Sequence, residues 1–289
     1  MKSFDELSFS DNFMFGAVMR NPELCKKVLE TLLQRPIGEL TIPENEKTVK
    51  MTKDGKAIRL DIFARERENN TQYDAEMQNL NNKSLDELCL PKRSRYYQAL
   101  VDMSSFNEKA MYRSLGDSNI IFICTFDPFG KGLPLYAFTE MCDEVPGLEL
   151  GSGTQKLFFN TTACEKSTLP KDVERLYNYI NTGRPDDELT EELDDAVRVA
   201  RMDNELRGEY MRTELFIQDA IYEGRKIGEE EGRKEGRKEG RKEGRKEATE
   251  ELNALSAFLI DNNRLEDLRR ATQDPEFQQE LLEEMRQTI

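Results

Sequence analysis

Asp61 and Glu76 are the residues best placed to do chemistry. They lie in two short segments of alternating polarity, Arg59-Leu60-Asp61-Ile62-Phe63-Ala64 and Tyr73-Asp74-Ala75-Glu76-Met77-Gln78. A strand turns successive side chains to opposite faces. Asp61 is therefore expected to point away from Leu60 and Ile62. Asp74, Glu76 and Gln78 share one face of the second strand, and Tyr73, Ala75 and Met77 share the other. The polar run from Arg65 to Thr71 is long enough to reverse the chain, and an antiparallel hairpin would set Asp61 beside Glu76. Two carboxylates at that spacing suit Mg²⁺, with Mn²⁺ as a substitute, because such ions take one or two carboxylates and keep several waters.

Phosphodiester hydrolysis needs a cation on the phosphate, an activated water and relief of charge on the leaving oxygen. Asp61 and Glu76 supply the metal ligands in this reading. The backbone carbonyl of Met77 adds an oxygen if it turns inward, and Asp74 is an additional acidic candidate. Gln78 can orient water or touch phosphate, but it carries no charge. Lys92-Arg93-Ser94-Arg95 is a basic cluster with Lys92, Arg93 and Arg95 as candidate nucleic-acid contacts. The plainer readings are a solvated strand edge for the carboxylates and ordinary surface for the cations.

The elements that must hold these residues are legible in outline. Ser10 or Asp11 is placed to cap a first helix, and Asn21-Pro22 divides it from a second. Pro36-Ile37-Gly38 ends that unit. Thr48 to Met51 reads as a strand and Lys53 to Lys56 as a turn leading to the Asp61 strand. Leu85 to about Phe106 reads as helical, with a fresh start near Pro91. Ile120-Ile121-Phe122-Ile123-Cys124 has the unbroken apolar character of a central strand. Asp127-Pro128-Phe129-Gly130 closes it as a turn whose aromatic residue packs. Leu135 to Thr139 and Lys156 to Asn160 are two further short strands, and Val173 to Tyr179 begins a helix ended by Thr182-Gly183-Arg184-Pro185. Strands interleaved with helices point to an α/β core.

Beyond Arg184 the composition changes. Leu189 to about Lys226 is charged and helix-forming, and glycine then recurs every fourth residue from Gly224 to Gly244 with Arg-Lys-Glu between. Four residues advance an α-helix by about 400°, so the glycines trace a slowly winding stripe. A solvated helical arm is expected, used as a spacer or as a self-association surface. Two short helices follow, separated by Asp274-Pro275. The expected division is 1–184, 185–248 and 249–289.

Composition removes several classes of function. The 289 residues contain no histidine, which excludes His-based zinc sites, His-dependent triads and an imidazole base. The five cysteines are odd in number and lack a CxxC pair, so reduced thiols are expected. A net charge of -15 opposes passive attraction to nucleic acid, so any phosphate contact must rest on a local basic patch. No apolar run reaches the length of a membrane span, and the first residues lack a secretory signal pattern. A cytoplasmic location is expected.

Several segments in order resemble one family. They are Ser10-Asp11-Asn12-Phe13-Met14-Phe15, Arg59 to Ala64, Ala75-Glu76-Met77-Gln78, Arg93-Ser94-Arg95-Tyr96-Tyr97 and Ile121 to Gly130. Together they resemble the PD-(D/E)XK nucleases described as transposase-like or recombination-promoting, over roughly residues 5 to 180. The resemblance implies a restriction-endonuclease-like α/β core, with a central mixed sheet flanked by helices, carrying a charged helical C-terminal extension. It implies Asp61 and Glu76 as metal ligands, Asp11 as a supporting acidic residue, and Gln78 where the wider superfamily usually has lysine. Arg93 or Lys92 would then have to bring positive charge from the following helix. The sequence thus predicts a Mg²⁺-dependent DNA endonuclease. The alternatives are a nuclease-fold interaction protein with little turnover and a nuclease acting on RNA.

Overall fold

The computed structural model describes residues 2–43, 60–80, 85–105, 111–163 and 169–288. The strand expected at Thr48 to Met51, its turn at Lys53 to Lys56, Arg59 and Cys164 lie outside the described residues. The chain divides into two compact units, Met1–Arg212 and Thr213–Ile289.

The first unit is built on a six-stranded mixed sheet among the described residues. Its strands are β1 (Leu40–Thr41), β2 (Ile62–Glu66), β3 (Gln72–Gln78), β4 (Ser118–Cys124), β5 (Leu135–Phe138) and β6 (Thr154–Asn160). The spatial order is β1-β2-β3-β4-β6-β5. The β2–β3 hairpin is antiparallel as its sequence predicts, while β3, β4 and β6 run parallel. Parallel neighbours need a crossover. Between β3 and β4 the crossover carries α3 (Leu85–Leu88) and α4 (Leu90–Ser105). Cys89, with a left-handed φ of 49°, separates the two helices, and Pro91 falls in the first turn of α4, where its missing N–H costs nothing.

On the other side lie α1 (Asn12–Val18), α2 (Pro22–Leu33), α5 (Lys171–Thr182) and α6 (Glu188–Met202). Asn21 caps α2 by accepting from the amides of Glu23 and Leu24, so the break expected at Asn21-Pro22 is a true helix boundary. Gly183, at φ 67°, ends α5. Alternation along the strands sorts the core into two clusters. Ile62, Ala64, Tyr73, Ala75, Met77, Ile121 and Ile123 face α1, α2, α5 and α6. Phe63, Ile120, Phe122 and Cys124 face α4, where they meet Tyr97, Leu100 and Val101. Each fully buried side chain of this size contributes about 1.5–3 kcal/mol, so the two sides clamp β3 firmly.

One detail departs from simple alternation. Leu60 joins the α4-side cluster with Phe63, whereas Ile62 packs on the opposite side. Regular strand geometry begins only at Ile62, and Asp61 sits in a bend. The boundary expected near Arg184 also lies inside the first unit. Leu193, Val197 and Ala200 of α6 and Tyr210 are buried in its core, and Lys27 pairs with Glu192. Charge on the outer face of α6 conceals that apolar stripe.

The helix α7 (Asn204–Asp261) begins in the first unit and contains the glycine-repeat segment, whose residues are exposed. In the second unit Leu255 and Leu259 bury against Ala271 of α8 (Leu265–Ala271) and Leu281, Leu282 and Met285 of α9 (Pro275–Thr288). Arg264 pairs with Glu284, and Arg286 with Glu251. Among the described residues no helix is long and apolar enough to cross a membrane. Cys25, Cys124 and Cys142 are free thiols.

Candidate functional site

The register of the hairpin sets the site. Ile62 pairs with Ala75 and Phe63 with Asp74, so one further step along the ladder brings Asp61 level with Glu76. The two residues are tied reciprocally. The Asp61 amide donates to Glu76 Oε1 at 2.8 Å, and the Met77 amide donates to Asp61 Oδ2 at 3.1 Å. The approach of α1 to this bend is close: a Cβ on Gly16 would stand 3.2 Å from the Asp61 carbonyl oxygen.

The acidic face of β3 is an interior feature rather than a solvated edge, since β3 lies between β2 and β4 and all its residues are buried. Asp74 is 0% exposed, Glu76 2% and Gln78 4%. Burial above all, and then the neighbouring Asp61 carboxylate, push the Asp74 and Glu76 carboxyls well above the usual carboxylate range. Arg93 opposes that rise at both positions. Among the described residues neither Asp74 carboxylate oxygen has a hydrogen-bond partner, and neither does Gln78 Nε2. Buried polar groups are normally satisfied, and an orphaned carboxylate is costly.

The basic cluster is divided by the helix. Lys92 and Arg95 are exposed on α4, while Arg93 turns toward β3. Its Nη1 donates to Gln78 Oε1 at 2.8 Å and its Nη2 to Tyr97 Oη at 2.7 Å, with Nη2 3.5 Å from Glu76 Oε2. The guanidinium also lies over the rings of Tyr97 and Phe122, at 5.2 and 5.7 Å from their centroids. Sequence spacing alone gives the Arg93–Tyr97 contact, because residues four apart meet on a helix.

Asp11 stands at the start of α1 with its carboxylate held by Lys2 Nζ at 2.8 Å and by the amide and hydroxyl of Ser8. Its neighbour Asn12 reaches the hairpin with a hydrogen bond: Asn12 Nδ2 donates to the Met77 carbonyl at 2.8 Å. The expected inward Met77 oxygen is thus engaged by a side-chain amide, with one lone pair still available. Asn79 Nδ2 reaches the Ser10 carbonyl at 2.6 Å, a second tie between the same segments. Neither Asn12 nor Tyr97 stood out as a site residue, because an isolated amide or phenol carries no distinctive spacing.

In this arrangement no three acidic or thiol groups among the described residues surround a common ion position. Asp61 leans to the Met77 amide, and Glu76 to the Asp61 amide and Arg93. By donor type the carboxylates of Asp61, Asp74 and Glu76 are the hard oxygens that a divalent cation takes, and among the described residues the Asp74 oxygens have no hydrogen-bond partner.

A mixed sheet flanked by helices, with acidic residues on paired central strands, is the core of the PD-(D/E)XK nuclease class. The family model described as PD-(D/E)XK nuclease family transposase matches residues 9–222, and the chain belongs to that family. The match extends beyond the 5–180 span of the motifs and takes in α6, which packs on the core, and the start of α7. Comparison with curated proteins and with solved structures returned no match.

Proposed function

We propose that this chain is a divalent-metal-dependent DNA endonuclease. The observation that carries the reading is a complementary pair of buried orphans. Among the described residues Asp74 presents two buried oxygens without a hydrogen-bond donor, and Gln78 Nε2 is a donor without an acceptor. A cation bound to a phosphate answers both demands at once. Asp61 and Glu76 would hold Mg²⁺ or Mn²⁺, assisted by Asp74 and the Met77 carbonyl. The bound ion would polarise the phosphate and activate water. Gln78 orients the water or a phosphate oxygen through Nε2. Asp11, held by Lys2 and Ser8 beside Asn12, would act as a supporting acidic residue. Lys92 and Arg95 lie on the exposed side of α4, suited to the sugar–phosphate backbone.

Cleavage of supercoiled plasmid with Mg²⁺ or Mn²⁺ tests this. Wild type should cut, and Asp61→Ala and Glu76→Ala should each lose about 100-fold or more. Equal cutting by all three proteins removes Asp61 and Glu76 from the reaction. A parallel RNA digest decides the nucleic acid.

A second reading is a nuclease-fold binding protein with little turnover. It is favoured by the depth of Glu76 and Asp74 and by Arg93 lying against Glu76. Binding to DNA or protein without cleavage under either metal would select it. Self-association through the C-terminal helical region belongs to either reading. Truncation after Tyr222 should then lower the number of subunits per particle in light scattering.

A further inference from the structure

We propose that the segment of α7 from Arg233 to Lys246 is a nucleic-acid contact in its own right, a basic helix that docks on double-stranded DNA. The contact does not depend on the carboxylates around Asp61, and it holds whether or not the chain cuts.

The four-residue repeat sorts its residues by type around the helix axis. At about 100° per residue, Arg, Lys, Glu and Gly each advance about 40° per repeat, so each type forms its own winding stripe. The arginine and lysine stripes are neighbours. Lys234, Arg237, Lys238, Arg241, Lys242 and Arg245 fall within about 140° of one another around the axis. Their side chains alone line one open surface groove.

Composition gives the segment a sign opposite to that of the chain. Arg233 to Lys246 holds eight cations and three carboxylates, against a net charge of -15 for all 289 residues. The arginines on the groove have no carboxylate beside them. Residues three and four apart meet on a helix, and for Arg237, Arg241 and Arg245 those positions hold only Lys, Arg, Gly, Ala or Thr. Among the described residues none of the six groove cations forms an ion pair, whereas Arg225 and Lys246 pair with Glu229 and Glu250. Like charges four apart repel, and the repeated glycines weaken the helix further. A polyanion laid along the groove relieves that repulsion.

Duplex DNA is the polyanion that fits. An α-helix with its side chains is about 10–12 Å across, and the B-form major groove is about 12 Å wide between two phosphate backbones. The segment is about 20 Å long and exposed throughout. Cations spread over such an arc reach both backbones, while Glu239 and Glu243 face away from the groove floor. The deep, narrow major groove of duplex RNA does not admit a helix.

Fluorescence anisotropy of a short labelled duplex with the full chain, in EDTA and over a salt series, tests this without cleavage. The triple variant Arg237→Gln, Arg241→Gln, Arg245→Gln should bind about tenfold or more weakly at ~0.1 M salt. The slope of log affinity against log salt should flatten by about 2–3, since each phosphate contact contributes about 0.9. A charge exchange, Arg237→Glu with Glu239→Arg and Arg241→Glu with Glu243→Arg, keeps the net charge but breaks the face, and should weaken binding at least as much. These positions lie outside the three core clusters, so both variants keep the fold. Amide exchange at 233–246 should slow when wild type binds the duplex.

Unchanged affinity and slope in the triple variant overturn the inference. So does a charge-exchange variant that binds like wild type, because net charge alone would then explain the binding. Equal or tighter binding to duplex RNA, or to phosphatidylserine vesicles, overturns the assignment to DNA. Plasmid cleavage is scored apart from these readings. A chain that cuts while both variants bind like wild type keeps the nuclease reading and loses this one, and arm-dependent binding without cleavage does the reverse.

Discussion

Asn12 Nδ2 donates a 2.8 Å hydrogen bond to the Met77 carbonyl, linking the first helix to the strand that carries Glu76 and Gln78. The bond spans 65 residues of sequence and uses the carbonyl of Met77, the residue between those two. Helix α1 therefore sets the pitch of β3 at the site, reinforced by the close approach of Gly16 to Asp61.

Asn12→Ala should lower stability by about 1–2 kcal/mol, the cost of leaving the buried Met77 carbonyl without its donor. The urea midpoint reads this directly. Cleavage should fall further than stability explains, because Glu76 and Gln78 flank the released oxygen. A variant with a normal midpoint and normal cleavage would show that α1 does not position β3.

Asp74→Asn separates stability from function. At this position burial and the Asp61 charge both oppose ionisation, and neither carboxylate oxygen has a hydrogen-bond partner. Removing the charge should stabilise the chain by about 1–2 kcal/mol in urea unfolding. It should also weaken Mn²⁺ binding in the calorimeter, since a hard oxygen ligand is lost. Such opposed changes mark residues retained for activity at the expense of the fold. A lower midpoint would mean that the Asp74 carboxylate is structural.

Much of this arrangement was legible in the sequence, for identifiable reasons. The β2–β3 hairpin follows from strict alternation around Asp61 and Glu76, and β4 follows from five consecutive apolar residues. Asn21-Pro22 announces α2 because cap and first-turn proline are local signals. What remained hidden is non-local. The depth of Asp74 depends on β4 covering β3 from one side and α4 from above. The inward turn of Arg93, between outward Lys92 and Arg95, depends on the rotation of α4 about its axis. The role of α6 in the core was masked by Asp186 to Asp195, where acidic residues on the outer face dominate the composition while Leu193 and Val197 are buried.

Asp127 gives the turn after β4 a defined acid sensitivity. Its carboxylate accepts from the amides of Phe129, Gly130 and Gly132 and from Tyr136 Oη. Partial burial opposes ionisation, but the bonds from Tyr136 and the three amides outweigh it and hold the carboxyl below its ordinary value. The folded pKa is thus lower than the unfolded pKa of about 3.9. The stabilisation is complete above that unfolded value and is lost as pH falls through the folded one. Asp127→Asn should cost about 1 kcal/mol at pH 7, and the gap to wild type should shrink as pH falls below the unfolded value. A gap that stays constant from pH 7 to 3 would dissociate the turn from this ionisation.

A chain ended at Arg212 should remain folded. Both core clusters of the first unit draw their buried residues from positions up to Tyr210. Arg207 pairs with Asp5, Arg20 with Glu209, and Tyr210 Oη donates to the Lys2 carbonyl, so the start of α7 is fastened within that unit. The second unit closes on its own apolar set, from Leu255 to Met285. The hydrogen bonds that join Asp61 to Glu76 and Met77, and Arg93 to Gln78 and Tyr97, lie within the first unit. The truncated chain should therefore keep its thermal midpoint within about 3 °C, equivalent to roughly 1 kcal/mol for a unit of this size, and retain Mn²⁺ affinity. Ending the chain at Arg184 instead removes Leu193, Val197, Ala200 and Tyr210 from the core, and that shorter chain should fail to fold cooperatively. Equal midpoints for the two truncations would mean that α6 adds nothing to the core, and the 9–222 reach of the family match would then need a reason other than packing.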